Sequence, residues 1–144
     1  MPFTDYFAAP SDQDAARVAT VTDPTELGFD VVYAKNIDPA MIIGRLESIL
    51  TGVGFESVKA DPRMCRLIAD PDGAPIVTVT DTLRDALARL EPDARPAKAQ
   101  EWSTIEEFFG QFPVDFLTLL LRQLADLCTA AEVRGDHLYC RWSL

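Results

Sequence analysis

Between Val114 and Val133 apolar residues recur at the three- and four-residue spacing of a helix: Leu117, Leu120, Leu121, Leu124, Leu127, Cys128 and Ala131. An apolar stripe of this length belongs against other apolar surface rather than in water. Each large side chain in it contributes roughly 1.5–3 kcal/mol when fully buried, so the stripe anchors whatever core the chain builds. Gly135 supplies the stop for this helix. His137 to Ser143 then reads as a last strand. Strand geometry puts Leu138, Cys140 and Trp142 on one face and His137, Tyr139 and Arg141 on the other.

The remaining elements are read from the same kinds of signal. Phe3 to Ala8, Phe29 to Lys35 and Ile76 to Val79 are strand candidates. Ser11 caps a helix from about Asp12 to Thr20, with acids at its positive end. Three of the four Asp-Pro steps, at Asp23-Pro24, Asp38-Pro39 and Asp61-Pro62, offer an N-cap followed by a first helical proline. The second opens a helix from Pro39 to Thr51 that buries Ile42, Leu46, Ile49 and Leu50 and stops at Gly52. The third opens a shorter helix reaching about Ala69. Asp70-Pro71-Asp72-Gly73 is a turn. Thr80 or Asp81 caps a helix carrying Leu83, Ala86, Leu87 and Leu90, which Pro92 and Pro96 close. Glu91 to Gln100 reads as a loop. Ser103 and Glu106 then stand in the reciprocal positions of a capping box, opening a helix with Ile105, Phe108, Phe109 and Phe112 on one face. The expected fold is one α+β domain over residues 1–144. A mixed or antiparallel sheet of about four strands is packed by five or six helices, and the long C-terminal helix precedes the last strand.

Composition narrows the function. There are 23 acidic residues, 13 basic ones and one His, for a formal net charge of −10. Affinity for nucleic acid comes largely from Lys and Arg displacing counterions, so this balance argues against a nucleic-acid partner. It argues against an anionic membrane for the same reason. The charge keeps the chain in solution, or attracts a basic partner protein. Three cysteines (Cys65, Cys128 and Cys140) sit among apolar neighbours with no CxxC spacing. An odd number suits a reducing compartment, and the start Met-Pro-Phe-Thr-Asp lacks the pattern of a signal peptide. The expected location is the cytoplasm.

No catalytic, metal or cofactor set emerges. His137 and Cys140, three apart on a strand, point to opposite faces and make a poor metal pair. A cysteine with His137 as base is the pairing that any chain with three Cys and one His offers. Asp81 and Asp85, four apart, begin a helix, where negative charge is favourable without any catalytic role. There is no GxGxxG, GxxxxGK[ST], HExxH or GxSxG. The candidate binding residues are Trp102, His137, Tyr139 and Arg141. Trp102 precedes the expected capping box. It reads either as a hydrophobic staple or as an aromatic at a recognition surface.

Ile37-Asp38, then Leu46, then Leu50-Thr51-Gly52 resembles the conserved stretch of the YfbM-like bacterial proteins, in which an apolar–Asp pair begins a helix ending in Leu-Thr-Gly. The order of the later elements is similar too. The resemblance implies an α+β fold and carries no catalytic residue, since that family has no assigned activity.

Two functions follow as expectations. The first is a non-enzymatic protein-interaction module with an acidic surface, of immunity or antitoxin-like kind, taking a basic protein partner. The alternative is a small-molecule binder or enzyme with a cleft near His137, Tyr139, Arg141 and Trp102.

Overall fold

A computed structural model describes residues 2–143. Five strands, β1 (Phe3–Ala9), β2 (Val31–Lys35), β3 (Leu67–Ala69), β4 (Ile76–Thr78) and β5 (His137–Ser143), form one antiparallel sheet in the order β2-β1-β5-β4-β3. Six α-helices accompany them: α1 (Asp12–Ala16), α2 (Met41–Thr51), α3 (Phe55–Lys59), α4 (Asp81–Ala88), α5 (Arg95–Ser103) and α6 (Val114–Arg134). The last strand in sequence is the central one in space. β5 pairs with β1 on one side and β4 on the other, which leaves β2 and β3 as edges.

The sheet is covered on both faces. Side chains alternate along each strand, so Tyr6, Ala8, Val32, Ala34, Val77, Leu138 and Cys140 enter one core. They meet the whole expected stripe of α6, every member of which is buried. α4 and α5 pack on α6, and α2 packs on α4. Phe7, Ala9, Ile76 and Tyr139 enter a second, smaller core on the opposite face. That face is roofed by the chain between β1 and β2, through Ala15, Val18, Leu27 and Phe29. Ser11 caps α1 as expected, its hydroxyl accepting from the Asp14 amide at 3.1 Å. Gly52 and Gly135 end α2 and α6 at φ of 76° and 74°, a backbone region in which a Cβ is strained.

Several expected elements fold differently. The segment after Asp61-Pro62 is a turn followed by β3, not a helix to Ala69. Cys65 takes φ of 51°, which no helix tolerates, and the Arg66 amide leaves to bond the Thr78 hydroxyl at 3.0 Å. This is where the fifth strand comes from. Residues 91–100 are not a loop. A 3-10 turn (Pro92–Ala94) leads into α5, and Pro96 sits in its first turn, where the missing N–H does no harm. Ser103 and Glu106 form no capping box. Ser103 is the last residue of α5, and its hydroxyl donates back to the Gln100 carbonyl at 2.7 Å. The aromatic segment beyond is a single 3-10 turn (Glu106–Phe108) closed by Phe109 at φ of 51°, which leaves the Phe109 ring 81 % exposed. Among the described residues no helix is long and apolar enough to cross a membrane.

Candidate functional site

The three predicted residues on β5 share one face of the sheet, and each is joined to its own aspartate. The His137 Nδ1 lies 2.7 Å from Asp81. The Tyr139 hydroxyl donates to Asp12 at 2.7 Å. Arg141 meets Asp5 at 3.2 Å and also donates to the carbonyls of Val21 and Thr22, at 3.1 and 2.7 Å. Two of the three aspartates begin helices (Asp12 in α1, Asp81 in α4), and the third lies on β1.

Two further arginines bind the first pairs into a network. Arg66 reaches Asp12 at 2.5 Å, and Arg63 reaches both Asp12 at 3.4 Å and Asp81 at 3.7 Å. The Arg63 guanidinium also stands over the Tyr139 ring, 5.4 Å from its centre. The Tyr139 hydrogen bond, with help from Arg66 and Arg63, holds the Asp12 carboxyl down at about 2 against the burial that opposes it. Burial, and then that same hydrogen bond, pushes the Tyr139 phenol well above its ordinary range. Burial also pushes the Cys65 thiol up to about 11 and raises Cys128 and Cys140. The acid is thus kept ionised, and the phenol and thiols kept protonated. A thiolate nucleophile or a group poised near neutral pH needs shifts in the opposite direction.

Trp102 does not join this cluster. It is fully buried in the helical layer, on the other side of the sheet from Tyr139. Its indole N–H donates to the Ile42 carbonyl at 3.2 Å, and its ring meets Phe108 edge-on at 5.4 Å. It is neither a staple nor a surface aromatic but the link between α5 and α2. The expected convergence of four residues on one cleft therefore does not occur. Among the described residues no three His, Cys, Asp or Glu side chains are grouped to hold a metal.

A concave surface lies elsewhere. A groove of about 470 Å³ opens between edge strand β2 and helix α6. Asp30, Val31 and Tyr33 form its strand side, and Gln123 and Asp126 its helix side. Leu127 and Val32, both buried, lie at its base. Tyr33 is 56 % exposed and hydrogen-bonds through its hydroxyl to Asp23 at 2.8 Å. Asp126 makes no ion pair among the described residues. Leu119 and Phe116 lie one and two turns before Gln123 on the same face of α6, and both are substantially exposed.

The residue-by-residue reading missed this groove. Phe116, Leu119, Gln123 and Asp126 are the outward counterpart of the leucine stripe and can be found by the same periodicity. That Gln123 and Asp126 lie beside an edge strand depends on the strand order, which no local pattern carries. No protein-family profile, curated protein or solved structure matches the chain.

Proposed function

We propose that this chain is a protein-interaction module whose acidic surface takes a basic partner protein, an immunity or antitoxin-like role being one concrete form. The observation that carries the reading is the groove beside β2, which is concave, open, partly aromatic and rimmed by Asp30 and Asp126. Interfaces favour an aromatic and apolar centre within a polar rim, and Tyr33 with Val31 and Leu127 supplies the first part of that pattern. The net charge of −10 would steer a cationic partner from a distance. The YfbM-like resemblance, carried by Ile37-Asp38 and Leu50-Thr51-Gly52, belongs to the same proposal and adds no activity to it.

The alternative reading, a small-ligand or catalytic cleft at His137, Tyr139 and Arg141, has less support. Each of these side chains is already engaged by an aspartate, and neither they nor Trp102 line the β2 groove.

The test is chemical cross-linking in native lysate at low salt, comparing the wild type with the double variant Asp30→Lys/Asp126→Lys. A basic protein is expected to cross-link to the wild type, to weaken tenfold or more in about 0.5 M salt, and to be lost from the variant. A wild type that cross-links to no basic protein at low salt contradicts the reading.

A further inference from the structure

We infer that β2 is a docking edge, and that an extended basic segment of the partner adds to it as a sixth strand. The inference rests on the interaction reading above and specifies how the contact is made. Its starting point is the register of the β1–β2 pair. The Asn36 amide donates to the Pro2 carbonyl at 3.1 Å, and those two residues lie opposite one another one step beyond the Phe3–Lys35 pair. Antiparallel ladders alternate between bonded and non-bonded pairs. The bonded pairs are therefore Ala34 with Thr4 and Val32 with Tyr6. Val31, Tyr33 and Lys35 fall between them and turn both their N–H and C=O groups away from β1. Among the described residues no strand lies on that side. The free edge thus offers three donors and three acceptors, in pairs about 6.7 Å apart, the repeat of an extended chain.

An open edge alone attracts any strand, and proteins usually blunt it. Here the edge is shaped on one side. α6 stands beside it and leaves the groove between them, so an added strand would have α6 as a wall on one of its faces. Its side chains on that face would meet Leu127, Gln123 and Asp126, and those on the other face would run past Tyr33 toward Asp23. Small aliphatic side chains suit the face toward Leu127 and the base of the groove, and Lys or Arg suits the face toward Asp23, within the field of Asp30 and Asp126. Backbone hydrogen bonds supply affinity and the alternate side chains supply selection, as is general for strand addition.

The acids also say what the occupant is not. Two copies of this chain meeting edge to edge would bring Asp30 and Asp126 of each against a second body of charge −10. Two cations lie here already engaged: Lys35 stands over the Phe3 ring at 5.1 Å, and Arg134 reaches Asp30 at 3.7 Å, which leaves Asp126 as the unpaired acid among the described residues. Like-charge contact disfavours the self-pair and leaves a basic foreign segment as the fitting partner.

The experiment uses the full chain labelled with nitrogen-15 and the blocked peptide acetyl-Lys-Val-Lys-Val-Lys-amide as probe, followed by amide NMR and hydrogen exchange at low salt. The expected result is that the amide signals of Val31, Tyr33 and Lys35 shift and exchange tenfold more slowly or better. The same peptide methylated on its valine nitrogens, or with Glu in place of Lys, should bind at least tenfold more weakly. Asp126→Lys should weaken the parent peptide by a similar factor. Shifts confined to another surface, equal binding by the N-methylated peptide, or no shift at all would overturn strand addition. So would protection of these three amides in a peptide-free sample that sediments as a dimer, because the edge would then be a self-interface. The cross-linking result of the preceding section is read separately. A basic partner captured there alongside any of these negative outcomes leaves the interaction reading standing and removes only this mode of contact.

Discussion

Asp12 ties together side chains from distant parts of this fold. It sits at the start of α1 and holds Tyr139 from β5 together with Arg63 and Arg66 from the turn before β3. Its carboxyl, drawn down from 3.8 to about 2, is ionised more readily in the folded chain than in the unfolded one. A depressed acid stabilises the fold above its unfolded pKa, and that stability disappears as pH falls through the folded pKa. The window here runs from about pH 4 down to about pH 2. The side chain is 38 % exposed, so solvent screens much of the full linkage value and about 1 kcal/mol remains. Asp12→Asn should therefore lower the unfolding free energy by about 1 kcal/mol at pH 7 and by close to nothing at pH 2, as measured by urea denaturation at the two pH values. Asp5 runs the other way. Burial raises its carboxyl in spite of Arg141, so its contribution is greatest at low pH and declines as pH rises through its folded value.

At the scale of elements, the buried and exposed faces of α6 have opposite consequences. Leu124→Ala opens a hole in the main core and should cost about 2–5 kcal/mol. Leu119→Ala, on the exposed face, should change stability by no more than about 0.5 kcal/mol. Denaturation midpoints of the two variants check both figures, and a large loss from Leu119→Ala would mean that its face is buried in solution. The helices that could be read from the chain are those with an unbroken apolar period: α6, α2 and α4, each with its stop or cap in place. β1, β2, β4 and β5 were legible from alternation or β-branching. α5 was not, because it buries only Ala99 and Trp102 and begins amid prolines that resemble breakers. β3 was not, because three residues carry no period and are held by pairing with β4. His137, Tyr139 and Arg141 could be placed on one face of β5, but their aspartates come from three distant parts of the chain. The edge position of β2 was likewise hidden, since it follows from β5 returning to the centre of the sheet.

The whole molecule is a sheet closed on both faces and open at an edge. One face is sealed by helices, and the other by a short N-terminal roof over a neutralised polar network. The proposed contact uses the β2 edge, the groove beside it and the acids around both. The most direct test of that account is residue-resolved amide hydrogen exchange on the free monomer along β2. The account predicts alternation, with slow exchange at Val32 and Ala34, whose amides bond to β1, and fast exchange at Val31, Tyr33 and Lys35, whose amides face outward. Uniform protection across residues 31–35 in a monomer would show the edge already covered and would contradict it.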